Sequence, residues 1–347
     1  MEDEKLNIEI PEQVPSKTPP SSPKSTNTEG EPSLREEIMT LLKEKKKLSS
    51  ISTEVYLRNL KKLNSDKTLV NFSFLENSEE VMKKLDSFKD TTKRNYLISI
   101  VSILSLYPQL KALHDIYHGL MMQKKSEISD KDSLGMRSET QEENWMDWNS
   151  VIEQQKILGT KVDIFYKKKT CTPEDFLTLT AYLIISLYTL IPPRRNKDYS
   201  LMRVVNNYTP DLDVGFNYYD CTKKKFIFNN YKTSKKYGRY DLSVPNALKT
   251  VINKYLKHRA AKFALDDNEN KPFLIKPDGT AMEKSNDITK VLNKVFGKAI
   301  GSSMLRHIFL TDKYSTTFKN AKLDAEMMAH SSGQQKEYIK EKLTVTF

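Results

Sequence analysis

At 347 residues, 38% of them hydrophobic, and with a mean hydropathy of −0.60, the chain can bury two domain cores and still leave a solvated tail. No apolar run approaches the roughly 20 residues a bilayer span needs, and residues 1–30 hold no apolar signal segment, so neither a membrane partner nor secretion is predicted. Fifty-six Lys and Arg against 45 Asp and Glu give a net charge of +11 and a pI near 9.2, which favours a polyanionic partner, with DNA or RNA as the default. The two cysteines, Cys171 and Cys221, are too few for a disulfide framework and too far apart for a zinc pattern. They predict a reducing, intracellular compartment, with nucleus and cytoplasm left open.

Residues 1–33 are acidic and then rich in Pro, Ser and Thr, as in Pro15-Ser16-Lys17-Thr18-Pro19-Pro20, and read as a disordered tail. From Ser33 the apolar spacing turns helical. Ser33 is placed to cap a helix over 34–47, with Glu36 at the capping-box position. Ser52 or Thr53 precedes a second helical run through Tyr56, Leu57 and Leu60. A Phe-rich turn at Phe72–Leu75 and a helix over 78–88 follow. Thr91 or Thr92 then precedes a long helix with a broad apolar face, ended by Pro108. One more helix is expected over 110–122, which closes an all-helical unit at 34–122. The polar stretch 123–145 is the expected interdomain linker, and 146–347 the second domain.

In that second domain, Thr172-Pro173-Glu174-Asp175 is a helix start with a cap, a proline in the first turn and early acids. Residues 176–190 are apolar nearly all round, the pattern of a buried central helix, and they run into Pro192-Pro193-Arg194-Arg195-Asn196-Lys197-Asp198. The stretch 213–245 reads as strands at Val214–Tyr218, Lys225–Phe228 and Tyr240–Val244. Residues 222–239 carry seven Lys or Arg and no acid. Helices resume at Asn246 and carry the chain to its end. The predicted class is α+β, mainly α, with a helical first domain and a mixed second domain holding a small antiparallel sheet.

The stretch that organises the chemistry is the last fifty residues. Met304-Leu305-Arg306-His307 opens an apolar run, Ala329-His330-Ser331-Ser332 follows, and Tyr338 comes eight positions after that histidine. Upstream stand Arg195 after the apolar helix and Lys232-Thr233 between the expected strands, with Arg239 and Val244-Pro245 beyond. In this order the set resembles the catalytic domain of the tyrosine recombinase (phage integrase) family, over about 175–340. There an Arg box, a β-hairpin lysine, a Leu-Arg-His box, a Gly-His box and a nucleophilic tyrosine follow one another. The helical unit resembles the family's core-binding domain more loosely, through Thr53 with Leu57 and Thr92 with Tyr96. The chain departs from the pattern in three places. Pro193 and Asp198 replace the Gly and Glu of the first box, Ala329 replaces the glycine of the Gly-His box, and Ser303 stands where the Arg box begins with His.

The resemblance implies site-specific cutting and rejoining of double-stranded DNA by a virus or other mobile element. Tyr338 would attack the scissile phosphate and form a 3′-phosphotyrosyl link. Arg195, Arg306 and His330 would hold the phosphate, and Lys232 would protonate the 5′ leaving oxygen. Arg194 is the alternative to Arg195, and Lys235 or Lys236 to Lys232. Ser303 can hydrogen-bond but cannot act as an acid near neutral pH, and His307 is expected to pack or orient its helix. No cofactor or metal is implied, since the link conserves the phosphodiester energy and side-chain cations neutralise the transition state. Strand exchange implies a homotetramer assembled on DNA. The rivals are a type IB topoisomerase-like enzyme with the same chemistry, a recombinase fold decayed to a DNA-binding protein, and a basic RNA-binding protein.

Overall fold

The computed structural model describes residues 33–133, 135–167, 172–263 and 270–329. The chain divides into two compact units, Met1–Met136 and Arg137–Phe347. The class is α+β and mainly α.

The first unit is helical throughout. Helices α1 (Leu34–Glu44), α2 (Ser50–Leu63), α3 (Ser78–Leu85), α4 (Asp90–Leu104) and α5 (Lys111–Ser133) enclose one apolar core. Ser33 caps α1 in a capping box with Glu36, as its spacing predicts. The other starts differ from expectation. Ser49, rather than Ser52 or Thr53, caps α2 by accepting from the Ser52 N–H, and Thr53 is buried inside the helix. Lys89 is the N-cap residue of α4, which has no side-chain cap, so Thr91 and Thr92 fall in its first turn. Tyr96 is buried against Phe88, with ring centroids 5.4 Å apart. Leu60, Leu97, Ile100 and Leu104 have no exposed surface. Fully burying each such side chain contributes roughly 1.5–3 kcal/mol. Tyr117 of α5 is also buried, and its hydroxyl donates to the Leu75 carbonyl.

About three quarters of the expected linker is helical. α5 runs on to Ser133, and α6 (Glu139–Asn144) follows with a Ser138–Gln141 capping box. Polarity misled the expectation because this stretch of α5 is solvated and held by local pairs. The Lys124 ammonium meets Glu127 one turn on, and Gln123 donates to Glu127 across four residues. Residues 143–145 already belong to the second unit. Lys298 donates to the Glu143 and Trp145 carbonyls, and the Ala299 N–H donates to the Asn144 side chain.

The second unit is built around α8 (Pro173–Thr189). Thr172 and Asp175 form its capping box, and Phe176, Leu179, Leu183, Ile184 and Leu187 are fully buried. α7 (Trp148–Tyr166), α11 (Asn246–Phe263) and α12 (Ser285–Phe296) pack against it, and α9 (Asn196–Ser200) packs on α12. The sheet has five strands in the order β4-β3-β2-β1-β5, from β1 (Met202–Val205), β2 (Asn217–Asp220), β3 (Lys225–Phe228), β4 (Tyr240–Ser243) and β5 (Lys271–Pro272). It is mixed rather than antiparallel, because β1 runs parallel to β2. The expected strand at 214–218 begins three residues later, since Asp213 closes a turn whose side chain accepts from the Gly215 N–H. One sheet face, with Val204, Tyr219 and Phe226, joins the helical core. The other, with Val205, Tyr218 and Ile227, is covered by Tyr208, Leu212 and Phe216 from the β1–β2 connection. Between β3 and β4 the chain turns through α10 (Ser234–Tyr237), and the long α13 (Ser302–Met327) follows α12.

Candidate phosphate-binding site

Three distant segments meet at the end of α8. The first is the α8–α9 connection, where Pro192 and Pro193 interrupt helical hydrogen bonding and hold the chain extended into Arg194 and Arg195. The two arginines have different fates. Arg194 is half-buried, and its Nε donates to Asp198 Oδ2 at 2.9 Å. Its guanidinium lies 3.7 Å from the Phe228 ring centroid and 5.4 and 5.5 Å from those of Tyr231 and Tyr240. Arg194, the alternative clamp, is therefore committed to the scaffold. Arg195 is half-buried; its carbonyl accepts from the Asp198 N–H at 2.9 Å, and its guanidinium makes no hydrogen bond or ion pair with a described residue.

The second segment is the start of α13. Leu305 and Ile308 are buried in the core, which fixes the helix face that carries Arg306. The Arg306 Nε donates to the Ser302 carbonyl at 3.2 Å, and a terminal nitrogen reaches Ser303 Oγ at 3.4 Å. Among the described residues Arg306 has no carboxylate within ion-pair distance. Burial lowers its pKa, and the positive charge of Arg195 lowers it further, while Asp198 and Tyr188 act the other way. Two guanidiniums thus share one neighbourhood, and the nearest carboxylate is already claimed by Arg194. Burial raises the Asp198 pKa, against the pull of Arg194 first and of Arg195 and Arg306 after it.

The third segment is the β3–β4 excursion. Tyr231 rests on the Arg194 guanidinium and its hydroxyl donates to the Gly238 carbonyl, which closes the turn at its base. Lys232 comes next and is exposed, while Lys235 and Lys236 are exposed on α10. The rigid base ties the excursion to the arginine segment through a residue adjacent in sequence to each candidate, Arg194 beside Arg195 and Tyr231 beside Lys232.

Two buried amides missed in the sequence reading, Asn196 and Asn217, hold these segments together. Asn196 Oδ1 accepts from the Tyr188 hydroxyl at 2.5 Å, and its Nδ2 donates to the Ser285 carbonyl and to Thr289 Oγ1 at 2.9 and 2.8 Å. The Asn196 backbone N–H donates to Ser302 Oγ at 3.3 Å. Asn217 Nδ2 donates to the Asp198 and Asn230 carbonyls, and its Oδ1 accepts from the Asn230 N–H. A polar residue inside the apolar run Phe216-Asn217-Tyr218 was the available signal for the second of these.

Ser303 and His307 are exposed on α13. Tyr314, two turns beyond Arg306, is 37% exposed, with the Lys313 ammonium 5.2 Å from its ring centroid. Ala329 has φ 55°, the left-handed region that suits glycine, and it occupies the position where the family's box has glycine. His330 and Tyr338 lie outside the described residues. Among the described residues no group of three His, Cys, Asp or Glu side chains could hold a metal ion, and no helix is long and apolar enough to cross a membrane. No protein-family model matches the chain, and neither does any curated protein.

Proposed function

We propose that this protein binds double-stranded DNA and cuts and rejoins it through a phosphotyrosyl intermediate, as a tyrosine recombinase does. The observation that carries the reading is the convergence of Arg195 and Arg306, two half-buried guanidiniums without a carboxylate partner of their own among the described residues. Cations held together in a partly desolvated site are stable companions for an anion, and a planar fork suits a phosphate's two non-bridging oxygens. The basic β3–β4 excursion, anchored beside them, carries Lys232 as the proton source for the 5′ leaving oxygen. The left-handed Ala329 and the order of the remaining boxes also support the reading. In the proposed step the Tyr338 Oη–P bond forms as the P–O5′ bond breaks, Lys232 gives its proton to the departing oxygen, and the phenol proton leaves to solvent or a base. A 5′ hydroxyl then reverses the step. By the same resemblance the working assembly is a homotetramer on DNA, acting inside the cell for a mobile element.

Covalent trapping tests this. The full chain is incubated with nicked duplexes carrying a randomised central segment, with EDTA present, and resolved on a denaturing gel. The expected result is a protein–DNA band that disappears in Tyr338→Phe and falls by roughly a hundredfold or more in Arg195→Ala and Arg306→Ala, the effect of deleting a group that stabilises developing charge. A band that persists in Tyr338→Phe moves the nucleophile to Tyr314. Ser303 favours a second reading, a DNA-binding protein that no longer cuts, because an exposed serine hydrogen-bonded to Arg306 supplies no acid. Duplex binding without any covalent band selects it.

A further inference from the structure

Arg195 and Arg306 stand on different elements, and a single phosphate can engage both only if their spacing is fixed. The contacts that fix it pass through two uncharged residues. Asn196, next to Arg195, is 5% exposed and uses both of its amide donors and its carbonyl on α8 and α12. Its backbone N–H reaches Ser302 Oγ, and the Ser302 carbonyl accepts from Arg306 Nε. The path Arg195–Asn196–Ser302–Arg306 is therefore two hydrogen bonds long and spans 106 residues of sequence at its central link.

We infer that Asn196 and Ser302 are positioning residues that set the separation of the two guanidiniums, an inference that rests on reading those arginines as ligands of one phosphate. Neutrality is part of the role. A carboxylate at 196 would face the Ser285 carbonyl and sit one residue from Arg195, where it would compete with the phosphate. An amide holds the same place and leaves both cations unneutralised. Ser302 is suited to the α13 end of the path because its hydroxyl serves the Asn196 N–H while its carbonyl serves the arginine one turn on.

The test uses the full chain, inorganic phosphate as the probe, and the Nε–H resonances of Arg195 and Arg306 followed by NMR. In the wild type both resonances are expected to shift with one common dissociation constant. Ser302→Ala should weaken phosphate roughly fivefold, the affinity equivalent of one hydrogen bond, and should split the two arginines into different constants. Ser302→Thr should restore the common constant. Asn196→Asp should weaken phosphate by more than about tenfold, since it introduces an opposing charge as well as losing the donors. A residue serving only stability would lower the melting temperature in Ser302→Ala and leave the common constant intact, which would overturn the inference. A wild type whose two arginines do not respond to phosphate would instead overturn the functional reading beneath it.

Discussion

Removing the Arg194 guanidinium should cost the second unit several kcal/mol, and the cost should depend on pH. Asp198 is 4% exposed, Arg194 is 19% exposed, and the Arg194 Nε sits 2.9 Å from the carboxylate. In Arg194→Met the carboxylate stays buried with one oxygen unpaired, joining Oδ1, which has no hydrogen-bond partner already. Breaking a buried pair from one side costs about 3–5 kcal/mol. The carboxyl can escape by taking up a proton. From an ordinary carboxylate value that would cost about 4 kcal/mol at pH 7 and about 1.5 kcal/mol at pH 5, and burial has already raised this carboxyl, so these figures are upper caps on the electrostatic loss at each pH. Loss of the stacking on Phe228 adds about 0.5–2 kcal/mol that does not change with pH. Urea unfolding of wild type and Arg194→Met at pH 7 and pH 5, followed by circular dichroism, should therefore show a penalty of about 3–5 kcal/mol that shrinks by about 2 kcal/mol on acidification. Arg194→Met combined with Asp198→Asn should recover most of the pH-dependent part. A penalty below about 1 kcal/mol, or one that is equal at the two pH values, would refute the buried-pair argument.

His258 gives a stability signal near neutrality. It packs edge-on against Phe165 and Tyr166, and burial, followed by the charge of Lys257, lowers its pKa below the usual 6.5. A depressed histidine contributes stability that is complete above its unfolded value and is lost as pH falls through the folded one. The melting temperature of the wild type should fall on going from about pH 7.5 to pH 5 more steeply than that of His258→Gln, and parallel profiles would contradict this. Gly238 has φ 68° and ψ −161°, a region open in practice only to glycine, and no atom lies within 4 Å of the position a Cβ would take. Gly238→Ala should destabilise the second unit by about 1–3 kcal/mol through backbone strain alone, and a neutral result in a urea melt would mean the turn relaxes freely.

Much of the helical architecture was legible because it follows local rules. The Ser33–Glu36 and Thr172–Asp175 boxes and the continuous apolar run of α8 are written within a few residues of one another. What misled was composition read without partners. The polar half of α5 is a solvated helix held by Lys124 and Glu127, and no apolar periodicity announces it. β1 was invisible because four residues ending a helical run carry no alternation long enough to detect, and its parallel pairing depends on β2 rather than on its own sequence. At the site, the residue types that bear charge stood out, but their division of labour did not. Arg194 and Arg195 are equivalent in sequence, and only the positions of Asp198 and Phe228 make one a scaffold element and leave the other's guanidinium unpaired among the described residues. Asn196 looked like a polar filler between charges because its four partners are 8, 89, 93 and 106 residues away.

The sheet order has a kinetic corollary. β2, β3 and β4 are consecutive in the chain and adjacent in space, so their pairing closes only short loops, while β5 joins β1 after the whole of α11 has been traversed. The link between Asn196 and Ser302 is more distant still. Segments close in sequence find each other early, because the entropy of closing a short loop is small. A nascent or refolding chain would thus possess its basic meander and its capped helices well before its two guanidiniums face each other. If the proposed function holds, general affinity for a polyanion would come first, and the capacity to hold one particular phosphate would be the last property to emerge.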